Sequence, residues 1–426
     1  GDREGAVFKI NNAYRMRYKF NGGLSIRNQQ HLPPDSTNIS DITETRRSST
    51  NIRWNHTQKL RNNQTFNANV TYSSSGDYDF SKKYGHSEAD RMNQKAISNV
   101  SYSKRWPKAK NSFSGSYYSN RDLLIDDKIN PFSAYYVTPT KAGTQLNIVN
   151  RTFPKFSFRH GQSNLVPTLA KDKKWYNTIT WNYGLSFNNK DRNYYESVYI
   201  DSSNSFGWTD STGKLVTQNE QNSGWVHTSS INAPQKVFKY ISVNPSMNLK
   251  SVWVDESFDG DWNDSTHSFT KFEKQGFAAR TTGSFSMNTN TQIYGLFPIP
   301  FGPVRAVRHV MSPSIGYSWT PDFSKPLFGK DLGYVITETD STGKEYYHDK
   351  FAGTMAGNTP RSERKSMSFS LNNVFQAKVK KGDEEKKVDL LSWRMSSSYN
   401  FAADSMNLSN LRSTVRSKIA GKLNLD

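Results

Sequence analysis

Ile179-Thr180-Trp181-Asn182-Tyr183-Gly184-Leu185-Ser186-Phe187-Asn188 alternates without a fault: each odd position is apolar or aromatic, each even position polar or glycine. Successive side chains of a β-strand point to opposite faces, so this period of two gives a strand with one apolar and one wet side. The same rhythm recurs along most of the 426 residues, for example in Tyr14, Met16, Tyr18 and Phe20 alternating with Arg15, Arg17 and Lys19. Repetition of two-faced strands over such a length is the mark of an all-β chain, a transmembrane antiparallel up-and-down β-barrel that satisfies its backbone by closing on itself.

Composition points the same way. Only 34% of residues are hydrophobic while 13% are aromatic. A barrel with a hydrated lumen needs half of each strand polar, and it collects Trp and Tyr at the two membrane interfaces. No run approaches the ~18 apolar residues of a membrane-crossing helix. The chain has no cysteine, which removes disulfides, thiol nucleophiles and Cys-based metal sites from this segment. It begins at Gly1 with no signal segment, as a mature chain or an internal fragment would.

The alternation predicts about fourteen strands, near 13–28, 51–60, 65–73, 96–105, 112–119, 152–159, 177–188, 224–232, 237–253, 276–297, 304–319, 366–380, 389–401 and 410–425. Between them, short connections such as 61–64, 106–111, 233–236, 298–303 and 381–388 alternate with long ones at 29–50, 74–95, 120–151, 189–223, 254–275 and 320–365, while two depart from the pattern, 160–176 being of middling length on the short side and 402–409 short on the long side. Tight turns at one end and long loops at the other are what a barrel crossing the outer membrane requires. Asp210-Ser211-Thr212-Gly213-Lys214 recurs as Asp340-Ser341-Thr342-Gly343-Lys344. Its spacing and flanks do not fit a phosphate loop, and an Asx-type turn with Gly in the left-handed conformation is expected. Pro245 and Pro313 inside strands would each delete a ladder bond, softening a seam or marking a bulge.

Lys and Arg number 56 against 37 Asp and Glu, a net charge of +19; residues 1–160 hold 25 of these bases and 12 of the acids. If the aromatic side meets lipid, alternation puts Arg15, Arg17, Lys19, Arg53 and Lys59 in the lumen, together with Arg412, Arg416 and Lys418 near the end. Those residues could bind phosphorylated or acidic material, or keep the lumen hydrated and contact a plug. A nucleic-acid partner would not need so many two-faced strands and is not expected. The eight histidines show no metal-ligand spacing, and His309 is expected as a solvated lumenal or interfacial residue. Asp126-Asp127 and Asp383-Glu384-Glu385 read as solvated charge. Nothing points to catalysis, to a metal or to a cofactor.

At 304–323 the run Val-Arg-Ala-Val-Arg-His-Val-Met-Ser-Pro-Ser-Ile-Gly-Tyr-Ser-Trp-Thr-Pro-Asp-Phe resembles the LptD (OstA, Imp) family of outer-membrane lipopolysaccharide-assembly proteins. The resemblance rests on Arg308, His309, Pro313, Tyr317 and Pro321, with further similarity at Ser368–Asn373 and Ser398–Ser405. It implies a bacterial outer-membrane barrel, residues 1–426 being one transmembrane domain, that takes lipopolysaccharide from a periplasmic Lpt bridge and releases it sideways into the outer leaflet. An LptE-like lipoprotein would plug the lumen. The family's periplasmic jelly-roll and its cysteines are absent here, and fourteen strands fall short of its barrel, so a fragment lacking C-terminal strands is expected. A porin or TonB-dependent transporter for small solutes is the alternative.

Overall fold

The computed structural model describes residues 5–31, 47–73, 95–132, 136–167, 174–199, 206–301, 304–381, 384–419 and 423–425. Asp383 lies outside them, as do the side chains of Asp126, Asp127, Glu384, Glu385 and Lys418. The chain is all-β, antiparallel and up-and-down, with eighteen strands in main-sheet ladders and four in two small hairpins. Contacts divide it into two compact units, Gly1–His160 with Leu185–Trp225, and Gly161–Gly184 with Val226–Asp426.

In the first unit β1 (Gly5–Met16), β2 (Phe20–His31), β3 (Arg47–Leu60), β4 (Gln64–Ser73), β5 (Lys95–Trp106), β6 (Asn111–Asp122) and most of β7 (Gln145–Asn164) pair each with the next. Parts of β8 (Thr180–Glu196) and β11 (Thr217–Asn232) complete it, with the two-residue β9 (Val198–Tyr199) and β10 (Phe206–Gly207) between them. Register fixes the faces. Ile10–Ile26–Ile52–Tyr72 is one cross-strand row on the apolar side, and Asn11–Ser25–Arg53–Thr71 is its neighbour on the polar side.

The expected strand 13–28 is in fact a hairpin. Arg17, Tyr18 and Lys19 form its turn, with Tyr18 at φ 62° and the Lys19 N–H donating to the Met16 carbonyl at 3.1 Å. Alternation ran on through the turn because no Gly, Pro or Asn marks it. The glycines sit in β2 instead: a Cβ on Gly22 would lie 2.5 Å from the Tyr14 ring and from the Asn55 carbonyl, so only glycine lets that ring cross the backbone.

The second unit runs through β12 (Gln235–Val237), β13 (Ile241–Asn263), β14 (Ser268–Asn290), β15 (Ile293–Phe301), β16 (Val304–Thr320), β19 (Arg364–Lys381), β20 (Glu384–Asn400), β21 (Arg412–Ile419) and β22 (Leu423–Leu425). β14 and β15 keep one register along β16, interrupted at 291–292 opposite Pro313, which has no N–H to donate. Two further expectations are corrected. The turn placed at 233–236 lies at 238–240, where Phe238 and Lys239 take positive φ and β12 carries the pairing past Pro234. The connection 254–275 is mostly strand: β13 and β14 pair to Asn263–Ser268 across a bulge at Val254/Glu256. At 23 residues each they far exceed the ~10 that a tilted strand needs to cross a bilayer. The many Asp, Asn, Ser, Thr and Lys residues of this ribbon break up any long alternation, so its sequence reads as a loop.

The long connection 321–363 carries the hairpin β17 (Val335–Thr339) and β18 (Glu345–Asp349) and packs on that ribbon. Val252 and Val254 of β13 are buried against Phe351 and Ala356. Arg280, opposite Val252 and 4% exposed, donates to the Gly357 carbonyl at 2.6 Å, to Thr359 Oγ1 at 3.0 Å and to the Ala356 carbonyl. The ring of His348 lies over Gly260, where a Cβ would stand 2.8 Å from it.

Candidate functional site

The polar face of β19, β20 and β21 forms a basic concavity of about 570 Å³. It follows from register. Asn372, Arg394 and Thr414 make one cross-strand row, Val374, Ser392 and Arg416 the next, and Ser396 faces Arg412 on the other side. Each arginine is reached by period-two alternation from a polar neighbour: Ser392, Arg394 and Ser396 on β20, then Arg412, Thr414 and Arg416 on β21. The apolar residues between them, Trp393, Met395 and Val415, point to the opposite face. Arg394 stands diagonal to both Arg412 and Arg416, about 7–8 Å away in a regular ladder. Among the described residues that line the concavity there is no carboxylate. Three guanidiniums among hydroxyl and amide donors suit a phosphate or another multivalent anion.

Of the expected lumenal bases, then, Arg412 and Arg416 come together and are joined by Arg394, which the sequence reading left out although Ser392-x-Arg394-x-Ser396 carries the same signal. Lys418 pairs with Asn424 at the end of β21. In the first unit Arg15 and Arg53 share the polar face, opposite Asn21 and Ser25. Arg17 and Lys19 do not join them on the strand wall, because both belong to the β1–β2 turn; the Arg17 guanidinium lies 4.8 Å from the centre of the Tyr18 ring. The Lys59 N–H donates to the Lys19 carbonyl at 2.9 Å, holding β3 to that turn.

The motif residues divide between faces. Arg308 is on the polar side, its guanidinium 5.0 Å from the Tyr294 ring centre. His309, Pro313 and Tyr317 alternate on the apolar side with Met311, Ile315 and Trp319. His309 is therefore not lumenal: its Nε2 is 3.0 Å from Oδ1 of the buried Asn373, and its ring stacks on Phe375 at 4.3 Å and 1°. Pro321 is buried just past β16, where the long connection begins.

His56, His160 and His227 repeat that arrangement, which sequence reasoning missed. Each sits on the apolar face of its strand with a partner across the ladder: Tyr14 hydroxyl to His56 Nδ1 at 2.9 Å, Asn111 Oδ1 to His160 Nδ1 at 2.7 Å, and Tyr183 hydroxyl to His227 Nδ1 at 2.8 Å. His56, His227 and His309 lie four or five residues from a strand end that leads to a short connection, and His160 lies four from the end of β7, which leads to the fifteen residues 165–179. A ring with a polar edge is the kind of side chain that suits an interface between hydrocarbon and headgroups.

The repeated pentapeptides are Asx-type turns. In both copies one Asp oxygen accepts from the Thr hydroxyl, the Thr N–H and the Lys N–H, and Gly213 and Gly343 take φ of 79° and 83°. The Thr342 hydroxyl, followed by the Lys344 and Thr342 amides, holds the Asp340 carboxyl down to about 2. Asp210 is lowered for the same reasons.

Compared with known proteins, residues 3–426 match a family model described as LptD protein. No curated protein matches the chain. Similar solved structures include the siderophore receptor PirA from Acinetobacter baumannii, 11% identical with a TM-score of 0.29, covering 100% of this chain and 65% of that one. The FrpB iron transporter from Neisseria meningitidis (F5-1 variant, apoprotein form) is 8% identical with a TM-score of 0.29, covering 98% and 64%. The chain thus spans just under two thirds of the length of each.

Proposed function

This chain belongs to the LptD protein family and to the outer membrane, and on that footing we propose that it is the barrel domain, residues 1–426, of a translocon that inserts lipopolysaccharide into the outer leaflet through a lateral opening. Its role is transport and assembly. The observation that carries this reading is the arginine cluster of Arg394, Arg412 and Arg416 on the polar face. A phosphorylated glycolipid needs cations that hold its phosphates and let them go, and exposed guanidiniums do both, since each such contact is worth only about 0.2–1 kcal/mol. Arg15 and Arg53 supply similar charge on the polar face of the first unit. A lipoprotein plug of the LptE kind would contact the polar side of the strands, and a periplasmic Lpt bridge component would deliver the lipid. Long connections would face the cell exterior, with the short turns in the periplasm.

A photoreactive residue in place of Thr414, between the arginines, tests the reading in living cells. A lipopolysaccharide adduct is expected. A correctly assembled protein that gives none, while neighbouring positions crosslink to other molecules, overturns it.

A further inference from the structure

Going along the polar face of the second unit from β21 toward β15, the chemistry changes within one cross-strand row. Tyr294, Val310, Val374, Ser392 and Arg416 stand opposite one another on five successive strands. Leu296 pairs with Arg308 in the adjoining row. Tyr294 and Leu296 are 57% and 69% exposed. Nearby on the same face the side chains are polar, with Ser312 facing Asn372 and Ser314 hydrogen-bonded to Ser370 at 2.7 Å. Tyr294, Leu296, Val310 and Val374 are therefore an apolar island on a polar face.

The sequence of β15 explains how this arises. Ile293, Phe297 and Ile299 serve the apolar side, while Tyr294, Leu296 and Pro298 put hydrocarbon on the other side as well, so this strand breaks the two-faced rule. Water gains nothing from such a surface, and each large apolar side chain left in it forgoes the free energy of burial.

The island's surroundings say what covers it. Arg308 borders it, and the arginine cluster begins two strands beyond Val310. The one carboxylate in the adjoining row, Asp389, already accepts from Gln376 Nε2 at 2.8 Å. From Tyr294 to Arg416 is four strand separations, about 19 Å, slightly more than half of a ~30 Å hydrocarbon core. Hydrocarbon at one end and guanidiniums at the other, within the reach of a single lipid molecule, match an amphiphile with an anionic head.

We propose that the polar face of β15, β16 and β19 is an acyl-chain subsite, which holds the hydrocarbon part of an anionic lipid while its phosphates rest on Arg394, Arg412 and Arg416. This rests on the function proposed above and adds that the lipid lies on the barrel wall with its chains as well as its sugars. The shallow, open surface suits a transit site from which the lipid slides off.

The full protein in nanodiscs, with a photoreactive residue at Ser312 or at Thr414, tests this with a bisphosphorylated, acylated disaccharide lipid as the probe. Adducts are expected at both positions. Tyr294→Ser with Leu296→Ser is expected to cut the Ser312 adduct at least fivefold and to leave the Thr414 adduct within twofold. The deacylated phosphosugar is expected to compete at Thr414 and not at Ser312. If the double variant fails to assemble, Leu296→Asn alone is held to the same criteria. A Ser312 adduct that survives the substitutions, that the deacylated sugar competes away, or that in cells forms with a protein rather than a lipid overturns the subsite. Loss of lipid adducts at Thr414 alone would overturn the arginine site instead.

Discussion

Replacing Arg394, Arg412 and Arg416 together with Gln is expected to weaken binding of a bisphosphorylated glycolipid by about 30-fold. The three side chains are reached from one face and border one concavity of about 570 Å³. An exposed charge-assisted contact contributes about 0.2–1 kcal/mol, so three at ~0.7 kcal/mol amount to ~2 kcal/mol, and ~1.4 kcal/mol is tenfold in Kd. Mutual repulsion of guanidiniums ~7–8 Å apart is about 0.5 kcal/mol per pair in water, and an incoming dianion relieves it. Salt screens both effects, since the Debye length falls from about 10 Å at 0.1 M to about 3 Å at 1 M. Titration of purified protein in nanodiscs with a fluorescent acylated disaccharide bisphosphate, at several salt concentrations, measures the loss. The wild-type affinity should fall steeply with salt and the triple variant's much less. Affinities within twofold of each other, or equal salt slopes, would refute a phosphate-binding role for the cluster.

Arg280→Met removes the donor that holds Ala356, Gly357 and Thr359, leaving two inward-facing carbonyls unpaired at about 1–3 kcal/mol each; faster proteolysis within 321–363 on intact cells is expected, and unchanged cleavage would show that Arg280 does not hold the connection. His309→Phe strands the amide oxygen of buried Asn373 and should lower the temperature at which the folded band is lost on unheated gels, whereas Asn373→Leu combined with it should restore much of the loss. Protease added to intact cells is expected to cut within 321–363 and to spare the turn at 238–240; the reverse pattern would invert the topology. The Asp340 carboxyl is held below its unfolded value, so its support of the β17–β18 turn is full above a pH of about 4 and is lost only as pH falls through about 2. Exchange protection of the Thr342 and Lys344 amides, corrected for intrinsic rates, should therefore persist at pH 4, and its loss there would refute the assignment.

Period-two alternation was enough to tell the chain its fold class and the two faces of nearly every strand, because a strand's side chains take sides by local geometry alone. It placed Arg53, Arg412 and Arg416 on polar faces, and the Asp-Ser-Thr-Gly-Lys turns were legible because their hydrogen bonds close within five residues. Which residues become neighbours across a ladder is set by register, and register depends on where turns fall. The unmarked turn at Tyr18 therefore hid a hairpin and moved Arg17 and Lys19 off the wall. For the same reason only pairing brought Arg394 to Arg412 and Arg416, and Tyr294 to Val310. Between the lumenal and interfacial positions expected for His309 the sequence could not choose, because a polar residue on an apolar face is tolerable only with a partner, and Asn373 lies 64 positions away. The β13–β14 ribbon, rich in charged and hydroxyl residues, carries no long periodic signal, and its cover by 321–363 rests on Arg280 contacts some 76 to 79 residues apart. Local chemistry determines faces; the tertiary structure decides company, because contacts that distant have no trace in spacing.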